Sequence, residues 1–64
     1  MKIYIERGNK RLALKKSCTG LELLRELDIN PDTVLLVRND EVVLAEDTLS
    51  DEDDIKILSV VSGG

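Results

Sequence analysis

The chain of 64 residues contains no histidine, no tryptophan and no phenylalanine, and only one cysteine, one proline and one tyrosine. Each shortage removes a class of function. Without histidine, Ser17, Cys18 and Ser62 lack the usual general base, and a zinc site lacks its imidazoles. A single cysteine cannot close an intrachain disulfide. Together with an N-terminus unlike a signal peptide, it points to a reducing cytoplasm. One aromatic, Tyr4, makes no stacking platform for single-stranded nucleic acid. The nine Lys and Arg read as scattered, without a basic stripe for a phosphate backbone, so nucleic acid is not an expected partner. No apolar run approaches the ~20 residues that span a bilayer, so no membrane span is expected.

What remains is aliphatic and acidic. A chain this short forms one domain and buries only roughly 60% of the surface its unfolded form exposes. With no disulfide and no metal, Leu, Ile and Val must supply the stability. The net charge of −4 suits a basic protein partner, or simply keeps the protein soluble.

The pattern along the chain gives an order of elements. "MKIYIE" alternates, with Ile3 and Ile5 on one face and Lys2, Tyr4 and Glu6 on the other, as in a half-buried strand. Gly8-Asn9 is a two-residue hairpin centre, because both residues tolerate positive φ. "RLALKK" returns as a second strand, with Leu12 and Leu14 inward. "TGLE" has the spacing of a capping box, Thr19 as N-cap and Glu22 reaching back, and Cys18 can staple onto Leu23. A helix through about Leu27 then buries Leu23, Leu24 and Leu27. Pro31 ends it by disfavouring helical geometry at Asn30. "VLLVRNDEVVL" is a strand pair around Asn39-Asp40, Leu49 is a lone anchor in a polar stretch, and "IKILSVV" is the closing strand. Four or five strands with one helix on one sheet face make an α+β roll.

Candidate chemistry inside this domain is sparse. "DEDD" at Asp51 to Asp54 lacks the alternating oxygen ligands and turn glycine of a calcium loop, and reads as a solvated surface loop. No glycine-rich loop links a strand to a helix, so the chain carries no nucleotide cradle of its own. Cys18 reads as a packing residue before it reads as a nucleophile.

The closing "VVSGG" is different. In the last strand Ile55 and Ile57 face the core, Lys56, Leu58 and Val60 face outward, and Ser59 takes the next inward position. Residues 1–60 form the domain, and Val61 to Gly64 are expected to project as a flexible tail of ~13 Å at ~3.3 Å per residue. A residue without Cβ can enter a slot that excludes every larger one. Adenylation of the Gly64 carboxylate would make AMP its leaving group, after which sulfide, a thiolate or an amine can attack. A separate enzyme has to supply the ATP and the magnesium. Two terminal glycines also arise by chance at roughly half a percent, given glycine at about 7% of residues.

The hairpin at Met1 to Lys16, the "TGLELLREL" helix, the "LVRNDEVV" pair and above all "DIKILSVVSGG" resemble the ubiquitin-like β-grasp sulfur carriers of the ThiS and MoaD type. The resemblance covers essentially the whole chain, and the length favours ThiS. It implies a β-grasp fold and a carrier that is not itself an enzyme. The implied acyl site is Gly64, with Gly63 and Ser62 entering the partner, and Leu58 and Val60 in the docking surface. The implied partners are a ubiquitin-activating-type adenylyltransferase, ThiF- or MoeB-like, and a downstream sulfur-accepting synthase for thiamine or molybdopterin. One departure is Asp51-Glu52-Asp53, where many relatives have Asp-Gly-Asp. A positive φ there would strain Glu52 or force a different turn. Two alternatives remain open beside the carrier: a modifier joined to lysines through Gly64, and a β-grasp interaction domain without terminal chemistry.

Overall fold

The computed structural model of the protein describes residues 1–60. Strands β1 (Lys2–Ile5) and β2 (Lys10–Ala13) form the first hairpin. Strand β3 (Cys18–Thr19) leads into helix α1 (Gly20–Glu26), and a 3-10 turn at Pro31–Thr33 leads into β4 (Val34–Arg38). Strands β5 (Glu41–Val43), β6 (Thr48–Leu49) and β7 (Asp54–Ser59) follow. The main sheet has the order β2-β1-β7-β4-β5, and β3 pairs separately with β6. Strand β7 lies in the middle, parallel to β1 and antiparallel to β4. One helix against a mixed five-stranded sheet is the β-grasp roll that the sequence led us to expect.

The apolar alternation explains the core. Met1, Ile3, Leu36, Ile55 and Ile57 are buried on one sheet face, beneath Leu23 and Leu24 of α1. Leu49 is fully buried, as its isolation among polar neighbours suggested. Gly20 marks the closest approach of helix and sheet. A Cβ there would stand 2.4 Å from Leu36 Cδ1 and 3.0 Å from the Ala45 carbonyl oxygen. The start of the helix is satisfied from two sides. Thr19 and Glu22 form the capping box, while Gly20 and Leu21 donate their N–H groups to Asp47 and Ala45 carbonyls at 3.0 and 2.7 Å. Cys18 is half-buried and packs on the cluster that contains Leu23.

Two local expectations need correction, and the alternatives at Glu52 are decided. The first hairpin has a four-residue loop: Ile5 faces Lys10, and Asn9 N–H donates to the Glu6 carbonyl at 3.1 Å. Gly8 and Asn9 do take positive φ, +84° and +50°. Leu12 is not inward-packed but 38% exposed. It sits opposite Ile3, on the helix side of the sheet. Five strands are about 19 Å wide between edge axes, whereas a helix is about 10 Å across, so an edge strand stays uncovered. Glu52 carries no positive φ. Its loop closes instead through Ser50, whose N–H donates to Asp53 Oδ2 at 2.8 Å while its carbonyl accepts from Asp53 N–H at 3.1 Å. The Asn39-Asp40 turn is as expected, with φ of +50° and +69°.

These bonds also set a pH response. The backbone N–H and hydroxyl of Thr19 hold the Glu22 carboxyl below its usual range, and the Ser50 N–H followed by the Asn39 amide does so for Asp53. Folded pKa values depressed below unfolded ones stabilise the fold above the unfolded values, and that contribution disappears as pH falls through the folded ones. The urea midpoint should therefore drop between about pH 5 and about pH 3, with a shallower drop in the Glu22→Gln/Asp53→Asn variant. Denaturation curves at several pH values check this; equal slopes for variant and parent would contradict it.

Candidate functional site

Strand β7 carries the chain out of the middle of the sheet, and its last residues are gripped on both sides. Glu6 N–H donates to the Ile57 carbonyl at 3.0 Å, and the Glu6 carboxylate accepts from Ser59 N–H at 3.3 Å. On the other flank Val34 faces Ser59, and Val60 N–H donates to the Thr33 carbonyl at 3.1 Å. The backbone is thus tied to two neighbours up to Val60. Val61, Ser62, Gly63 and Gly64 lie outside the described residues, and with them the expected tail and the expected acyl site.

The sheet face away from the helix has two unlike halves. Around the end of β7 it is apolar. Leu58 is half-buried beside Leu35, and Val37, directly opposite Val42, continues the patch. Val42 is 63% exposed and Val60 55%. The sequence reading picked out Leu58 and Val60 and missed Leu35, Val37 and Val42. The signal was present, because "VLLVRNDEVV" alternates on both sides of its turn, but its outward half was left unassigned. Contiguous apolar side chains on a small protein's surface mark an interface.

Around β1 the same face is polar. Lys2, Tyr4, Arg11 and Lys56 border a depression of about 360 Å³ together with Asp40 and Asp54. The Arg11 guanidinium lies 5.7 Å from the Tyr4 ring centroid, within cation–π range. Lys56 Nζ is 3.6 Å from Asp40 Oδ1.

Burial pushes the Cys18 thiol pKa up, outweighing the nearby Lys16 ammonium, so Cys18 is held as a thiol at neutral pH. Among the described residues no three His, Cys, Asp or Glu side chains converge on a metal position, and no helix is long and apolar enough to cross a membrane.

Known proteins place this arrangement. The ThiS family model matches residues 5–64, a span that includes Gly63 and Gly64. The sulfur carrier protein TtuB of Thermus thermophilus is 46% identical over 55 residues, covering 86% of this chain and 85% of that protein. The solution structure of a thiamine biosynthesis protein from Geobacter metallireducens superposes with a TM-score of 0.61 at 25% identity. That superposition covers all of this chain and 88% of the other. With a roll of this topology, an apolar face beside the exit of its central strand and a match across nearly the whole length, the chain belongs to the ThiS family.

Proposed function

We propose that the protein is a sulfur carrier, a cosubstrate whose Gly64 carboxylate is activated and sulfurated by other proteins. The observation that carries this reading is the exit of β7. Hydrogen bonds with Glu6 and Thr33 fix the backbone up to Val60, beside Leu58 and Leu35 of an apolar patch that continues to Val37 and Val42. An enzyme that docks on that patch through Leu58 and Val60 meets the following residues at a defined place. The family match through Gly64 and the likeness to TtuB support the same assignment.

In the proposed reaction a Gly64 carboxylate oxygen attacks the α-phosphorus of ATP, and pyrophosphate leaves. Sulfide then attacks the acyl-adenylate carbonyl, and AMP leaves. The product is a thiocarboxylate. ATP and magnesium are held by a ThiF- or MoeB-like adenylyltransferase, and this chain binds neither. Gly63 and Ser62 thread the partner's channel, where a Cβ at position 63 would meet the walls. A synthase for a sulfur-containing cofactor, thiamine or molybdopterin, receives the sulfur.

Intact-mass analysis of protein isolated from its native host tests this. Expected is a fraction of molecules in which one oxygen has been replaced by sulfur, localised to the peptide ending at Gly64. Lysine-linked conjugates without any thiocarboxylate would replace the carrier reading with that of a protein modifier.

A further inference from the structure

The cations are not scattered in the folded chain. Arg7, Lys10, Arg11, Lys15 and Lys16 are five of the nine, and the segment 7–16 contains no carboxylate. The remaining residues hold four cations against all 13 acidic side chains, so a strongly acidic protein carries one basic border. The fold puts Lys10 and Arg11 on β2, an edge strand of the main sheet exposed at every residue, with Arg7 in the loop before it and Lys15 and Lys16 after it. Lys16 is engaged, 2.5 Å from Glu26 Oε2. Among the described residues Arg7, Lys10, Arg11 and Lys15 have no carboxylate partner.

The backbone of this edge is also open. Met1 and Leu14 exchange hydrogen bonds, the N-terminal ammonium donating to the Leu14 carbonyl at 2.6 Å and Leu14 N–H to the Met1 carbonyl at 2.9 Å. Antiparallel pairs alternate, so Leu12 and Lys10 also bond inward to β1, while the N–H and C=O groups of Arg11 and Ala13 point away from the sheet. Beside them Leu12 lies on the helix side of the sheet without a cover. The opposite edge differs. Strand β5 has only three residues, begins with Glu41 and is flanked by Asp40, Glu46 and Asp47. Just after it, the Leu44 N–H is already taken by Asp47 Oδ2 at 2.9 Å.

From this we infer that the β2 edge is a second docking site, which accepts an extended acidic segment of a partner protein as an added strand. The main chain of the segment bonds to Arg11 and Ala13, an apolar side chain covers Leu12, and flanking carboxylates face Lys10, Lys15 and Arg7. Strand addition takes its affinity from main-chain bonds and its selectivity from alternate side chains, and here the charges select the sign of the partner. A nucleic acid satisfies the charges, but it makes no strand with Arg11 and Ala13, and it meets a net charge of −4 over the whole chain. The site lies on an edge strand separated from the central β7 by β1, and it does not depend on the sulfur-carrier reading.

The test is an NMR titration of the labelled full-length chain with a synthetic peptide. The peptide has an alternating valine–isoleucine core flanked on both sides by glutamates. Saturable shifts should be largest for the Arg11 and Ala13 amides. Proline substitutions in the core that leave the charge unchanged should abolish them. Lys10→Glu/Lys15→Glu, both exposed and away from the core, should weaken binding about tenfold while leaving the circular dichroism spectrum intact. Several results would overturn the inference: no saturable shift, shifts centred elsewhere, equal binding of the proline peptide, or unchanged affinity in the charge-reversal variant. Tighter binding of a single-stranded RNA oligonucleotide to the same amides would also overturn it, as would self-association of the labelled chain through this edge.

Discussion

Replacing Gly64 with alanine should slow adenylation by the cognate activating enzyme by about a hundredfold or more, since misplacing reacting atoms by about 1 Å costs that much. The variant should melt within about 0.5 kcal/mol of the parent, the usual range for substitutions that touch no packed group. The reason for the contrast is a division of labour. The described domain ends its hydrogen bonding at Val60 N–H, and every buried side chain lies at or before Ile57. In the proposed role, an added methyl at position 64 meets the walls of the activating enzyme at the moment when the carboxylate must line up with a phosphorus atom. ATP–pyrophosphate exchange, run beside thermal unfolding, separates the two effects. Exchange rates equal for variant and parent would remove Gly64 from the proposed role.

The second large effect is expected inside the domain, at Leu49. Its side chain is fully buried, yet it belongs to a strand of two residues, paired only with Cys18–Thr19. It is the sole core residue contributed between Leu36 and Ile55. Leu49→Ala should cost about 2–5 kcal/mol, the range for large-to-small changes in a closely packed core. A domain of this length has roughly 3–10 kcal/mol in all. At about 4–8 °C per kcal/mol the midpoint should fall by roughly 10–30 °C. Leu44→Ala, at a side chain 61% exposed, should change stability by less than about 0.5 kcal/mol. Thermal unfolding followed by circular dichroism distinguishes them. Similar midpoints for the two variants would mean that the 45–54 stretch is not anchored through Leu49.

Local chemistry made much of this architecture legible from the residues. The period of two in "KIYI" and "IKIL", the Thr19–Glu22 spacing and the Asn39-Asp40 turn each depend on neighbours a few positions apart, and each is present. What stayed hidden depends on distance in space. Leu12 has the same alternation as Ile3, and only the limited width of the helix leaves it bare. Gly20 looked like an ordinary residue of a helix start, whereas its missing Cβ is what lets α1 settle on Leu36 and Ala45. Strands β3 and β6 are two residues long, too short to show any period. The basic border escaped notice because strand alternation accounts for "RLALKK" without reference to charge. Only the sheet order shows that its cations lie along a free edge. Of the site, Leu58 and Val60 were readable from outward alternation, while Leu35, Val37 and Val42 needed the pairing register to join them.

Because Asp54–Ser59 supplies the neighbour of both β1 and β4, a growing polypeptide on the ribosome holds two half-sheets with no middle until that stretch emerges. Partnerships such as Lys2 with Asp54 close nearly the entire length of the chain, the kind of long-range pairing that makes folding slow. The sheet thus cannot zip before Asp54–Ser59 is available, and a fragment without that stretch lacks the strand on which both halves pair.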